Sequence, residues 1–510
     1  MREARYSMRI GCRMALVSAV CLGLASGGPQ AWAAGADEPG QEPLSLERFA
    51  QLLVGNNPRA VAARAQLAVA ETQVKKADAQ FQTGLRIDLS SSEQNEVNSP
   101  EDAITRGEEG TDYQRRSDDL SVELSKLLPT GGTVTGRTSL SRFWSSAFEL
   151  LGDPETAQDD RFRSSYDISL TQPLLRDRGV DVTRTPIALA EMDQALADWS
   201  RRDTEVVALG QGVNVFYDLV MAHHRRAAAQ RKVEMATQLA ETAERLLSSG
   251  RLDDSALSDV EISRVQFESS LLQAVETQQD LSSQAAKALQ LESGRDGLIA
   301  IDLSLPERPE PLPPLEELVE TAWAQRPDLQ ASKVAVQRQV IEAEFHENQL
   351  RPRLDAKVNY GYSGLALDTR SSYREEFRAT QPTWSVGLVF ESKVGADRAM
   401  EANLAAAKIK QQQAADERDA LRNDIRQDVR SAVAMVKGAA ARWELWRGAL
   451  AREAKNLSLE RRRFDSGRSD IRELLLAQER LINVDLQVTE QRVSYARARA
   501  LLSLTQGKAL

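Results

Sequence analysis

The sequence predicts a mainly α protein with β-strands, built from one unit used twice: a helix, a strand region and two long helices. Two internal matches carry this reading. Leu46-Glu47, Asn57-Pro58 and Leu85 recur 269 residues later, without a gap, as Leu315-Glu316, Arg326-Pro327 and Leu354. At a second offset of 217, Arg245-Leu-Leu-Ser-Ser-Gly250-Arg251-x-Asp253 matches Arg462-Arg-Phe-Asp-Ser-Gly467-Arg468-x-Asp470. Repeats of this length imply a duplicated architecture, not a short solenoid array. Composition agrees: aromatics are 5%, and Ala, Leu, Gln, Glu and Arg dominate, a mix that suits long helices and coiled coils.

Residues 1–33 read as a secretory signal. Arg2, Arg5, Arg9 and Arg13 form a basic stretch, residues 15–25 an apolar core too short to span a bilayer, and Ala31-Trp32-Ala33 a small-x-small cleavage site. A retained anchor and a lipoprotein cleaved before Cys21 are weaker alternatives, the latter because Ser18-Ala19-Val20 fits poorly. Cleavage removes Cys12 and Cys21, hence disulfides and thiol chemistry. It also removes four arginines and one glutamate, taking the net charge from −10 to −13. An acidic exported chain has no electrostatic case for nucleic-acid binding. No later stretch reaches the ~18 apolar residues of a membrane helix, so any membrane insertion must be as a closed β-barrel.

Residues 44–82 are expected to be helical, interrupted at Asn57-Pro58, with Pro58 opening the second helix and Ala60, Ala63, Leu67, Ala70 and Val74 forming its apolar stripe. Residues 314–350 repeat this around Pro327. Strands follow by alternation: Leu85, Ile87 and Leu89, then Leu120, Val122 and Leu124, then a Thr130-Gly131-Gly132 turn and residues 134–140. Tyr166, Ile168 and Leu170 lead to Gln172-Pro173. In the second copy Leu354, Ala356, Val358, Tyr360 and Tyr362 alternate, as do Trp384, Val386, Leu388 and Phe390. Such dyad patterns suit membrane-barrel strands. A long loop over 98–119 with edge strands unrelated to a membrane is the competing reading.

The long helices follow each strand region. Leu474, Leu481, Val488, Tyr495 and Leu502 lie seven apart, with Ala477, Val484, Gln491 and Ala498 three further on, a coiled-coil seam. Val260, Phe267, Ala274, Leu281 and Ala288 form the column of the first copy. About 65 residues at ~1.5 Å each would reach roughly 100 Å, and one chain cannot bury both faces of such helices. Gly250 and Gly467 should each interrupt a return helix, with an Asp capping the next segment, while the first pair of long helices should turn over near His223-His224-Arg225-Arg226. Pro306, Pro309, Pro311, Pro313 and Pro314 make a stiff linker. The organisation is therefore a signal over 1–33, a first repeat over 34–305 (strands about 84–172, long helices about 180–292), a linker over 306–314 and a second repeat over 315–510 (strands about 353–391, long helices about 395–505).

Nothing points to catalysis. The histidines His223, His224 and His346 lack converging carboxylates for a metal site, and there is no phosphate loop, nucleophile elbow or zinc-protease motif. No enzyme activity, metal or cofactor is expected.

Taken together the chain resembles the outer-membrane efflux protein family, the TolC-like channels. The resemblance rests on the helices broken at Pro58 and Pro327 and the strand end Leu170-Thr-Gln-Pro173-Leu-Leu-Arg176. It rests equally on Asp428-Val-Arg-Ser-Ala-Val433, the Gly250 and Gly467 motifs, and the closing Leu501-Leu-Ser-Leu-Thr-Gln-Gly507. No motif is specific alone; the ordered, duplicated set is. It implies a homotrimer with a shared transmembrane β-barrel in the outer membrane of a Gram-negative cell and a long periplasmic α-helical barrel of twelve helices. Residues 44–57 and the linker would lie at its equator. It further implies an exit duct for tripartite efflux or type I secretion, docked by a periplasmic adaptor and an inner-membrane pump. The tip would lie near 217–226 and 436–442, with Asp218 and Lys437 as candidate gate residues. Two departures stand out: residues 429–443 contain no Asp or Glu where the family carries acidic rings, and a hairpin over 119–142 would exceed the usual four strands per chain. A soluble periplasmic coiled-coil scaffold or adaptor is the rival reading.

Overall fold

The computed structural model describes residues 43–97, 99, 101, 112–146, 159–290, 299–377 and 382–508; the expected signal over 1–33 lies outside the described residues. In chain order the elements are α1 (Leu46–Asn56), α2 (Pro58–Asp78), β1 (Gly84–Val97), β2 (Asp112–Leu127), β3 (Thr133–Ser145), β4 (Arg161–Pro173), α3 (Val180–Thr183), α4 (Thr185–Ser248) and α5 (Asp254–Leu289). The second half continues with α6 (Leu315–Gln325), α7 (Pro327–Gln349), β5 (Arg353–Ala366), α8 (Thr369–Phe377), β6 (Pro382–Glu391), α9 (Arg398–Asp465) and α10 (Ile471–Thr505).

The same local device opens both halves. Pro58 and Pro327 sit in the first turn of α2 and α7, and the residue before each, Asn57 (ψ 122°) and Arg326 (ψ 123°), is forced extended. Each half is thereby broken into a short helix that turns aside and a longer one that runs to the sheet. Ser45 caps α1 by accepting the Arg48 N–H at 3.2 Å, and Asn57 caps α2 by accepting the Arg59 N–H at 2.8 Å.

All six described strands form one antiparallel sheet in sequence order, β1 to β6. The long-loop alternative therefore fails from Asp112 onward, where β2 begins. α8 lies against β4 and β5, with the Ser372 hydroxyl donating to that of Ser164 at 2.8 Å.

The long helices differ from the sequence reading first in length. Only the first of each pair has the full length: α4 has 64 residues and α9 has 68, against 36 for α5 and 35 for α10. At ~1.5 Å per residue the long ones reach about 100 Å and the return helices about half that. The upper halves of α4 and α9 are flanked instead by α2 and α7. Among the described residues no helix is long and apolar enough to cross a membrane.

Three apolar clusters hold this body together. One joins Phe49 and Leu53 of α1 to Val213, Phe216 and Val220 of α4, Leu289 of α5 and Leu504 of α10; Phe49 and Phe216 meet edge to face at 5.6 Å. Its counterpart joins Leu318, Val319 and Ala322 of α6 to Val429, Val433 and Trp443 of α9 and Tyr495 of α10, with the Trp443 and Tyr495 rings 5.5 Å apart. The third lies lower, among Met235, Leu239, Val260, Phe267, Ile471 and Leu474. Replacing Trp443, 2% exposed, by alanine should cost about 3–5 kcal/mol, read as earlier loss of helical circular dichroism on heating; a variant that melts with the parent would show that this cluster does not hold the second repeat.

Candidate functional site

The register of the sheet sorts its side chains into two unlike faces. One cross-strand row reads Leu85, Leu124, Gly136, Ile168, Tyr360, Trp384; the next row on that face reads Ile87, Val122, Thr138, Tyr166, Tyr362, Pro382. The opposite face carries Arg86, Glu123, Arg137, Asp167, Gly361 and Thr383 in one row and Gly84, Ser125, Thr135, Ser169, Asn359 and Ser385 in another. Glu123 and Arg137 pair across it at 3.4 Å. One face is thus apolar and the other polar on every strand, the pattern of a wall with lipid on one side and water on the other. The apolar face is bare at the two sheet edges: Leu85, Ile87 and Leu89 on β1 and Trp384, Val386, Leu388 and Phe390 on β6 are all more than half exposed.

At the other end of the long helices lie two matched turns. Gly250 (φ 67°) and Gly467 (φ 71°) are in the left-handed region that favours glycine. Gly250 N–H donates to the Leu247 carbonyl and Arg251 N–H to that of Leu246, both at 2.9 Å; Gly467 and Arg468 do the same to Phe464 and Arg463 at 2.9 and 2.8 Å. Asp253 then accepts the Ala256 N–H at 3.1 Å and Asp470 the Ile471 N–H at 2.7 Å, starting α5 and α10. These turns are the helix reversals themselves. The expected reversal at His223–Arg226 is corrected: α4 runs unbroken to Ser248. The physical reason is that 217–226 has neither glycine nor proline, whereas Gly250 followed by a capping Asp has both a stop and a start.

Between wall and turns, polar clamps bind the helices at the level of the two upper clusters. Arg326, at the α6–α7 break, donates to Asp328 at 2.8 Å and to Asp428 of α9 at 2.9 Å. Asp203 of α4 faces the same group; burial, and secondarily the Asp328 charge, raise its carboxyl pKa above the ordinary 3.8 against the pull of Arg326. The proline-rich linker lies along α10: Arg492 donates to the carbonyls of Leu305 and Pro306 at 3.1 Å, and Tyr495 Oη accepts the Glu310 N–H at 2.8 Å. Gly507 (φ 76°) closes α10 against the α6–α7 break; a Cβ there would fall 2.8 Å from the Gln325 carbonyl and 2.9 Å from Arg326 Cα.

The residues singled out from sequence are therefore dispersed. Pro58 and Pro327 open helices, Pro173 ends β4, and Gly250 and Gly467 form the lower turns. Asp218 and Lys437 are not at the tip. They lie 31 and 30 residues before Ser249 and Gly467, roughly 45 Å along their helices. Asp218 is paired with Arg497 of α10, and Lys437 is exposed on α9. His223 and His224 are held below the ordinary histidine pKa, chiefly by burial. Among the described residues no group of three or more His, Cys, Asp or Glu is placed to hold a metal. Arg326, Asp203 and Gly507 escaped the sequence reading as functional positions; the repeat marks Arg326 and the closing motif ends at Gly507, while Asp203 has no sequence signal.

Comparison with known proteins relates the second half of the chain to one family and the whole arrangement to one fold. Residues 318–508 match the sequence model of a family described as outer membrane efflux protein. The fold is shared with the outer membrane protein VceC of Vibrio cholerae (TM-score 0.60, 13% identity, 91% of this chain and 96% of that one). It is likewise shared with the Campylobacter jejuni CmeC outer membrane channel (0.61, 13%, 91% and 85%) and the Neisseria gonorrhoeae MtrE outer membrane channel in its open state (0.60, 14%, 91% and 89%). No curated protein sequence matches the chain. The resemblance drawn from sequence is upheld: the second repeat carries the outer membrane efflux protein signature, and the chain has the fold of the outer-membrane channels.

Two outcomes are expected. Asp203→Asn should raise the melting temperature near neutral pH. The folded state favours the protonated carboxyl, so the contribution of Asp203 to stability is full below about pH 3.8 and is lost as pH rises through its elevated folded value. The gap between variant and parent should close in acid; a gap independent of pH would refute the assignment. Gly467→Val should destabilise the lower turn by about 1–2 kcal/mol, and Gly467→Asn by less, since asparagine tolerates the left-handed region; equal melting of both variants would remove the conformational argument.

Proposed function

We propose that the protein is a passive outer-membrane exit duct, a homotrimer that passes substrates from the periplasm to the outside for a tripartite efflux or type I secretion system. The observation that supports this best is the six-stranded sheet with one apolar face and two open edges, joined to helices about 100 Å long. A soluble scaffold has no use for that face. Neither do its helices look complete alone: Ile262, Val265 and Leu272 on α5, and Ile409, Met435 and Leu445 on α9, are each more than half exposed, as expected where neighbouring copies pack. VceC, CmeC and MtrE are outer membrane proteins or channels by name, which favours the same location here. The sequence carries no phosphate-binding loop, and we assign the driving force to a partner pump reached through a periplasmic adaptor. Closure is assigned to the lower turns around Gly250 and Gly467, where the helix pairs end, and opening to a partner that binds the splayed arrangement better than the closed one.

Fractionation of the mature protein followed by electrophoresis in detergent without boiling tests this. A trimer in the outer-membrane fraction is expected; a soluble periplasmic monomer or dimer would sink the duct and promote the scaffold. Leu388→Arg, on the apolar face of β6, should cost about 2–4 kcal/mol at the bilayer midplane and deplete that trimer, whereas unchanged membrane assembly would count against a lipid-facing sheet.

A further inference from the structure

Related channels are expected to give four strands per chain to the shared barrel, and this chain has six among its described residues. We propose that the β2–β3 hairpin is part of the membrane wall and not an external loop. Six strands from each of three chains then close an eighteen-stranded barrel, β6 of one copy pairing with β1 of the next. This rests on the trimeric duct proposed above.

Three observations carry it. First, the hairpin obeys the two-faced pattern of its neighbours. Leu120, Val122, Leu124 and Leu140 lie on the apolar face, and Glu123 and Arg137 lie on the polar one within the row Arg86, Glu123, Arg137, Asp167. A hairpin lying outside the membrane would have no reason to match both. Second, its lower turn is tied into the wall. The Thr130 carbonyl accepts Gln172 Nε2 at 3.1 Å and the Gly179 N–H at 3.2 Å, and the Thr130 hydroxyl donates to Gln172 Oε1 at 2.9 Å. Gly131 (φ 88°) is so closely seated that a Cβ would fall 2.4 Å from the Asp177 carbonyl. Third, the apolar band descends across the sheet from β1 to β6. The lowest apolar residue of β1, Leu85, shares a row with the highest of β6, Trp384. The band midpoint thus drops about five residues over five strand steps, about one residue (~3.3 Å) per ~4.8 Å of sheet. That corresponds to a tilt of about 35°, within the range a closed barrel needs. The step from β1 to β2 is level, with Leu85, Ile87 and Leu89 facing Leu124, Val122 and Leu120, and the descent runs from β2 onward, so the hairpin lies within the band.

In a bilayer the free edges of β1 and β6 must be paired, and the occupant is a second copy of this chain. The two edges lie at opposite ends of one sheet, so head-to-tail pairing closes a ring. Continuing the same drift sets Ile87 opposite Leu388, with Leu85 against Phe390 and Leu89 against Val386, apolar to apolar throughout. Because barrel diameter grows roughly in proportion to strand number, the mouth would be about one and a half times as wide as a twelve-stranded one.

The test compares Val122→Arg with Ser121→Arg, one strand position apart on opposite faces. Val122→Arg is expected to reduce outer-membrane trimer at least tenfold while Ser121→Arg leaves it intact; normal assembly of Val122→Arg overturns the proposal. Electron micrographs of the detergent-solubilised parent trimer then count strands directly, with eighteen expected and twelve overturning it. If the parent forms no outer-membrane trimer at all, the duct reading has failed first.

Discussion

The backbone amides along the open edges of β1 and β6 are the constraint on which the rest of the structure turns. A sheet with one face in lipid cannot leave a strand edge unpaired, since no water reaches it and each orphaned group costs several kcal/mol. A single copy of this sheet is too small and too open to satisfy itself, so the edges call for neighbours in a closed ring. The ring in turn fixes how the helices hang. The chain passes between wall and helices at four points, α2 to β1, β4 to α3, α7 to β5 and β6 to α9. In the proposed ring every copy would therefore present its helices to the next in the order that the sheet dictates.

Below the wall the duplication does the organising. Each half delivers one long helix and one return helix, and the break before Pro58 or Pro327 turns a short helix aside to cover the level where the return helix ends. The two halves are not symmetric in detail. Arg326 gives the second break a guanidinium that reaches Asp428 on α9. The first break has Asn57, whose side chain is used locally as a cap. The second break is thus tied to its long helix by an ion pair, where the first half relies on the Phe49–Phe216 contact and on the Arg64–Glu205 pair between α2 and α4.

Much of this was legible in the sequence, for reasons that differ by element. Strands announced themselves because their side chains alternate with a period of two between an apolar and a polar face, as in Trp384, Val386, Leu388 and Phe390. The X-Pro breaks and Gly-x-x-Asp turns were visible because backbone chemistry is local. What failed was the assignment of height. Residues 217–226 were placed at the tip by analogy, although the segment holds nothing that stops a helix, and the real stop at Gly250 was read as an interruption. Asp218 and Lys437 inherited that error. The roles of Asp203 and Gly507 are set by groups that meet from distant parts of the chain, Arg326 and Asp328 in the first case and the Gln325 carbonyl in the second. No local pattern encodes such meetings.

In the proposed duct the separation of wall from helices would also decide what each part controls. The β2–β3 hairpin enters and leaves the sheet without contributing a helix, and its lower turn is held by Gln172 of β4 and Gly179 of the β4–α3 connection. Strands can therefore be added to the wall while the number of helices per chain stays the same. In that duct the mouth would widen, but the passage beneath it, bounded by α4, α5, α9 and α10, would keep its own dimensions, with its lower end set by the turns at Gly250 and Gly467. Exit width and gating are in this sense independent. The first is a property of strand number and tilt, the second of how closely four helix ends per chain approach the axis. Substitutions in the hairpin should alter what the mouth tolerates without altering whether the duct opens.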